Sequence, residues 1–288
     1  REAQQARRRI LESCLLAAER DGSPLPLELL PAEAEQAVVA EMARLDGQAD
    51  VRMNLVCPAC GEQWTETFDI AAYFWDELQR RHPGLMIDNC SSGGRRIDLE
   101  TNRRSVPLWR SDHYCFPFAP EHAQAHTQGL ALWVPLSGCC CAKADLYHLR
   151  SCYGAGLVVD GGCNLPDPIP VSWLAEHLAE FRLLRPYFTG DFYPLLAYNP
   201  APDTWTAWQF DRPDLAAGCA VFFRRPDSPF ATMTACLRAL DPEATYAVEL
   251  RYDLQRMEAC TLSGTELAQL AVTLPEPRTS VVVTYQKR

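Results

Sequence analysis

The chain has 288 residues, 48% of them hydrophobic and 22% charged, with 37 acidic against 27 basic side chains and a formal net charge of −10 at pH 7. That length has room for two or three domains, and the apolar content is enough for real cores. An acidic balance argues against a nucleic-acid partner, which needs a concentrated basic surface, and no apolar run reaches transmembrane length.

In chain order, Arg1 to Arg20 predict a basic helix with apolar positions Ile10, Leu11, Leu15 and Leu16, stopped by Asp21-Gly22-Ser23-Pro24. Its Arg7-Arg8-Arg9 run reads as a solvated face. The opening on Arg1 rather than Met, with no signal peptide ahead of this helix, is expected of a cut or spliced chain in the cytoplasm. Pro31 to Asp46 predict a second helix, with proline in its first turn and Gly47 at its end. Between Val51 and Phe68 the pattern alternates, as in a hairpin with Cys57-Pro58-Ala59-Cys60-Gly61 at its bend, and Asp69 to Leu78 predict helix again. The Cys57/Cys60 spacing is half of a zinc knuckle, since two thiolates at that separation converge on one tetrahedral ion. A reduced thiol pair or a relic knuckle is the alternative. Thirteen cysteines, an odd number clustered as Cys139-Cys140-Cys141, form no regular disulfide framework and are expected to be reduced. A metal site joining that cluster to Cys152 or Cys163 is a further alternative.

From His82 to Asp112 the text is denser in chemistry. Leu85 to Ile87 and Val106 to Trp109 are short apolar runs bounded by turn residues, expected as strands covered on both faces, with a helical spacer between them. After the first run, Cys90-Ser91-Ser92-Gly93-Gly94 leaves the backbone bare for a ligand to approach; after the second, Arg110 and Asp112 arrive together. Taken singly, Asp112 could be a helix N-cap, Arg110 its surface partner and Cys90 a small buried hydrophobe.

The two strand ends in this order resemble the α-galactosidase (melibiase-type, family 36-like) glycoside hydrolases, in which a Cys-Ser-x-Gly-Gly turn precedes a Trp-x-Ser-Asp strand end. The similarity continues through Thr127 to Ser137, Leu149-Arg150-Ser151, Phe181 to Leu195 and Trp205 to Asp214. It implies a retaining glycosidase on a (β/α)8 TIM barrel with reacting groups at the carboxyl ends of strands. By that resemblance Asp112 is the general acid/base, Cys90, Gly93 and Gly94 line a galactose pocket, Arg110 holds a ring hydroxyl or tunes the acid, and the partner is galactose or an α-galactoside. Retention needs a second carboxylate about 5–5.5 Å away. The family places it in a Lys-Trp-Asp strand end upstream, and neither lysine here, Lys143 or Lys287, is followed by Trp-Asp. Asp69, Asp88 and Asp98 are the substitutes to consider, Asp88 at a strand end and Asp98 as a helix cap.

From Asp203 onward the runs Trp205–Phe210, Cys219–Arg225, Ala235–Leu240, Tyr246–Tyr252 and Ser280–Tyr285 predict an antiparallel β-sandwich. Leu262-Ser263-Gly264-Thr265-Glu266-Leu267 resembles a packing turn of the domain that follows the barrel in α-galactosidases. Separately, Leu25 to Leu78 resemble phage-type tail baseplate proteins that place a CPxCG hairpin before a helix. The expected fold class is therefore α/β plus all-β: a helical segment with a Cys-x-x-Cys hairpin at 1–78, a partial TIM barrel (strands five to eight) at 79–202 and a β-sandwich at 203–288. Open sheet edges in such a partial barrel make a homo-oligomer conceivable. Two functions compete, an impaired and chimeric α-galactosidase fragment or a non-catalytic baseplate component.

Overall fold

The computed structural model describes residues 17–26, 29–45, 51–90, 93–115, 120–134, 136–159 and 168–288. The chain divides into two compact units, Arg1–Pro83 and Gly84–Arg288.

In the first unit, most of the predicted amino-terminal helix lies outside the described residues. Its last two residues are not helical: β1 (Glu19–Arg20) pairs with β2 (Ser23–Pro24) around Asp21-Gly22, both at positive φ. The Gly-Pro punctuation that was expected only to stop the helix makes a miniature hairpin instead. Helix α1 (Ala32–Leu45) follows, with Glu33 and Glu35 in its first turn and Arg44 in its last, as the helix dipole favours. Strands β3 (Arg52–Val56) and β4 (Gln63–Thr67) form the expected antiparallel hairpin. Helix α2 (Ile70–Arg81) starts where the Asp69 side chain accepts from the Ala72 N–H at 2.8 Å.

The second unit has an α/β layer and an antiparallel layer. The run at 85–87 is not a strand covered on both faces, since Leu85 and Met86 are exposed. It meets its neighbour through one parallel bridge, Asp88 to Val106, flanked by Val106 N–H to Ile87 O and Asn89 N–H to Val106 O, each 2.9 Å. Apolar residues alone do not cover a strand; a second neighbour must, and no further described strand pairs here. The spacer is a single turn, α3 (Leu99–Asn102), capped by Asp98 on the Thr101 N–H at 2.8 Å. The Gly138 N–H then bonds Pro107 O at 2.9 Å, and β5 (Gly138–Cys141) runs parallel to β6 (Gly156–Val159). A Cβ on Gly138 would overlap the Leu108 carbonyl, so the approach of these segments needs glycine there. Helices α4 (Pro120–Leu130), α5 (Leu146–Ser151) and α6 (Val171–Leu184) alternate with these strands.

After β7 (Asp191–Pro194) the text turns antiparallel through β8 (Trp205–Arg212), β9 (Ala217–Arg224), β10 (Thr232–Ala235), β11 (Thr245–Arg251) and β12 (Met257–Ser263). A one-turn helix α7 (Gly264–Leu267) leads to β13 (Leu270–Thr273) and β14 (Thr279–Lys287). Six strands make one sheet in the order β12-β11-β14-β9-β8-β7, and β10 pairs with β13 in a second, two-stranded sheet. The expected strand at 235–240 lies slightly earlier, at Thr232–Ala235.

The large sheet is buried on both faces at its centre, which explains why β8 and β9 read as continuous apolar runs despite being antiparallel. Trp208, Phe210, Cys219, Val221, Phe223 and Val282 face one cluster, shared with Cys139, Cys140, Tyr147, Leu149 and Leu184 of the α/β layer. Trp205, Ala207, Ala220, Phe222, Val281 and Val283 face the other, closed by Leu267, Leu270 and Val272. Each large side chain so buried contributes about 1.5–3 kcal/mol. The Ser263–Leu267 turn is a capping box, Ser263 and Glu266 each satisfying the other's backbone, in keeping with a packing role.

One buried ion pair ties the layers. Arg150 donates from Nε and Nη2 to Glu180 Oε1 and Oε2 at 2.8 and 2.7 Å. It also donates from Nη1 to Tyr252 O and Ser280 O at 2.8 and 2.9 Å. Tyr153 adds its hydroxyl to Glu180 at 2.9 Å, so the carboxylate accepts three bonds within the core.

Candidate functional site

The glycine turn and the Trp109-Arg110-Ser111-Asp112 strand end, 15 residues or more apart in sequence, come together. Gly93 (φ +70°) lies so close that a Cβ there would stand 3.0 Å from Asp112 Oδ2. Gly94 (φ +95°) lies over the Arg110 backbone, with its Cβ position 3.9 Å from the Arg110 carbonyl oxygen. Both glycines hold a left-handed conformation that costs a side-chain-bearing residue energy, and at Gly93 a side chain would also crowd the carboxylate. Asp112 itself is exposed and opens a 3-10 turn, Asp112–Cys115, so the turn leaves its carboxylate accessible.

Cys90 is exposed, contrary to its reading as a small buried hydrophobe, because the chain leaves the layer immediately after Asn89. Asn89 is the buried residue of this pair, and its amide donates to Arg96 O at 3.1 Å, closing the base of the glycine turn. Ser91 and Ser92 lie outside the described residues.

Arg110 is 5% exposed, so it is no surface partner of Asp112. Its guanidinium donates to Thr127 Oγ1 at 2.8 Å, to Ala123 O at 3.0 Å and to Ser137 Oγ at 3.3 Å. These bonds lock the strand end that carries Asp112 to α4 and to the residue before β5.

Three histidines join this region without having been singled out in the sequence. His113 stacks on His122 with ring centroids 4.5 Å apart and lies 6.3 Å from His126. Burial, then the charges of Arg110 and His113, hold His126 down at about 4; burial and His113 also lower His122. The available signal was the four-residue spacing of His122 and His126, which puts both on one face of a helix.

Among the substitute carboxylates, Asp69 and Asp98 are N-caps. Asp88 accepts from the Leu108 N–H at 3.2 Å, which fixes it between the two strand ends.

At the hairpin bend of the other unit, the Cys57 N–H bonds Glu62 O and the Gly61 N–H (φ +76°) bonds Cys57 O. The Cys57 thiol is shifted down by the N–H groups of Cys60 and Ala59 and by the Cys60 thiol. The turn thus has the form of a knuckle, yet Cys57 and Cys60 are two of the four donors that structural zinc takes. Among the described residues no group of three or more potential ligands converges, and the triple cysteine of β5 with Cys152 is no exception. No described helix is long and apolar enough to cross a membrane.

No protein-family model matches the sequence, and no curated protein matches it. Solved structures do. The family 36 α-galactosidase AgaA of Geobacillus stearothermophilus, solved in complex with raffinose, is 18% identical with a TM-score of 0.58, covering 75% of this chain and 30% of that one. AgaB from the same organism is 20% identical with a TM-score of 0.57 and the same coverage. The α-galactosidase from Lactobacillus brevis is 17% identical with a TM-score of 0.57, over 75% of this chain and 31% of that one. The chain thus spans about 30% of the length of these enzymes, and over three quarters of its own length it shares the fold of that part of a family 36 α-galactosidase.

Proposed function

We propose that this chain is part of an α-galactosidase-like retaining glycoside hydrolase, with Asp112 as the general acid/base that protonates the glycosidic oxygen and then activates water. The observation that carries this reading is the close approach of Gly93 to the exposed Asp112 carboxylate, which brings the two motifs side by side. On this reading the parallel segments at 87–89, 106–108, β5 and β6 correspond to strands five to eight of a TIM barrel. Cys90, Gly93 and Gly94 line the sugar pocket, and Arg110 acts as a positioning residue by holding the Asp112 segment on α4. The substrate class is a terminal α-galactoside; raffinose and stachyose, bound in the AgaA structures, are the first compounds to try.

The second carboxylate of a retaining pair is not identified among the described residues, so the chain alone is expected to bind galactosides with little turnover. The test is hydrolysis of an aryl α-galactoside together with galactose binding by thermal shift, for the chain and for Asp112→Asn. Galactose-dependent stabilisation without turnover supports the reading. Failure of galactose, raffinose and stachyose to bind overturns it.

The Arg1–Pro83 unit is a separate module by its own contacts, and its knuckle-shaped turn favours a second reading for it. We infer kinship with the phage-type baseplate hairpin, in a chimeric cytoplasmic protein with reduced cysteines. Zinc would need donors from a second copy, so zinc titration with sedimentation tests this: metal-dependent dimers support it, and a metal-free monomer at all zinc levels removes zinc from it.

A further inference from the structure

On the β layer, remote in sequence from the glycine turn, a cavity of about 210 Å3 opens between the end of β8, the start of β9 and the loop after β10. That is about seven times the share of one water in the liquid, ~30 Å3. Its wall includes Asp211, which is 5% exposed. Asp211 Oδ1 accepts from the Tyr285 hydroxyl at 2.6 Å, and Gln209 Nε2 donates to that same hydroxyl at 2.6 Å. Among the described residues Oδ2 takes no hydrogen bond and no cation pairs with it. Burial disfavours its ionised form, the Tyr285 hydrogen bond favours it, and the charge of Asp191 disfavours it, with burial the largest of the three.

The surroundings are shaped around this group. A Cβ on Gly218 would overlap the Tyr285 hydroxyl, so the phenol reaches Asp211 only because β9 carries glycine at its second position. Ala216 (φ +49°) and Ala239 (φ +58°), two of four non-glycine residues at positive φ among those described, both line the cavity. Non-glycine residues persist in that region only where surrounding structure enforces it, and such positions gather at ligand sites. At the rim, Lys287 Nζ is committed to Asp241 at 2.9 Å and adds no net charge.

The geometry points to a binding site for a small organic ammonium ion, seated on the buried Asp211 carboxylate against the apolar walls of Leu240, Tyr246 and Pro213. A buried charge is tolerated when paired, and the pairing partner absent from the protein is a cation. The carbon-rich part of the wall, at Leu240, Tyr246 and Pro213, suits a carbon-bearing ammonium. This site is independent of the glycosidase reading and shares no residue with it.

The test is a two-dimensional amide NMR titration of the full chain with ethanolamine at neutral pH, with ethylene glycol as the neutral isostere and potassium chloride at matched ionic strength. Saturating shifts at the Ala217, Gly218 and Leu240 amides are expected with ethanolamine alone. Asp211→Asn is expected to weaken binding about tenfold or more, the effect of losing one charge-assisted contact. Lys287→Met, at an exposed position, leaves the Asp241 carboxylate of the wall unpaired and is expected to tighten binding of the cation severalfold, which keeps the test decisive where Asp211→Asn does not fold. No saturation by ethanolamine, equal response to glycol or to potassium, unchanged affinity in Asp211→Asn, or weaker affinity in Lys287→Met overturns the proposal.

Discussion

Around Asp112 the two strand ends share a single backbone bridge, the Asp112 carboxylate and Cys90 are exposed, and the segment is anchored chiefly by the Arg110 guanidinium. In β8, β9 and β14, by contrast, residues on both faces are sealed into separate clusters, and even polar atoms such as Gln209 and Asp211 are internally bonded. The two regions belong to one compact unit, and the second is sealed on both faces by its own packing. The difference teaches that a motif is legible where chemistry, not burial, selects residues, whereas stability resides where the text is merely apolar.

The largest effect should come from the buried Arg150–Glu180 pair, which positions the guanidinium that also bonds the β layer. Glu180→Gln leaves Arg150 buried with its charge unmatched and is expected to destabilise the chain by about 3–5 kcal/mol in urea denaturation. A loss below about 1 kcal/mol would mean that Glu180 is not what balances the buried Arg150 charge.

Acid should act next. Burial holds His148 at about 4 in the folded chain, against 6.5 when unexposed to that environment. The unfolded chain therefore binds more protons between these values, and stability falls as pH drops from about 6.5 toward 4. His126, also held at about 4, adds to the same slope from the Asp112 side. His148 alone contributes about 3 kcal/mol over that window. Urea melts of wild type and His148→Gln at pH 7 and 4.5 would show a flatter pH response in the variant, and equal slopes would count against this assignment.

Tyr285→Phe removes the hydroxyl that bridges Gln209 and Asp211 and should cost about 1–3 kcal/mol. At the rim, Gly93→Ala should cost about 1–2 kcal/mol for its left-handed backbone and should abolish the galactose-dependent thermal shift by crowding Asp112. Normal galactose binding in that variant would separate the glycine turn from the pocket. The smallest effect belongs to the hairpin of the other unit, where Cys57→Ser should change stability by less than about 0.5 kcal/mol, since the residue is not in a core.

Much of the candidate site was readable. Cys-Ser-Ser-Gly-Gly and Trp-Arg-Ser-Asp are short, local and chemically restrictive, so they announce themselves without a structure. The role of Arg110 was not readable, because its direction depends on Ala123, Thr127 and Ser137, residues it meets only after folding. The histidine group was missed for the same reason: His113 lies nine residues from His122, and only the path between the strand end and α4 stacks them.

Local patterning by itself determined the Cys57–Gly61 hairpin, the Asp69 and Asp98 caps, the Ser263–Glu266 capping box and the antiparallel character after residue 203, since each depends on neighbours within a few positions. Tertiary structure decided that Leu85 and Met86 are exposed, that Arg150 of α5 pairs with Glu180 of α6 while also bonding the β layer, and that Asp211 lines a cavity. Burial and charge pairing are sums over residues distant in sequence, and no periodicity along the chain encodes which of them will meet.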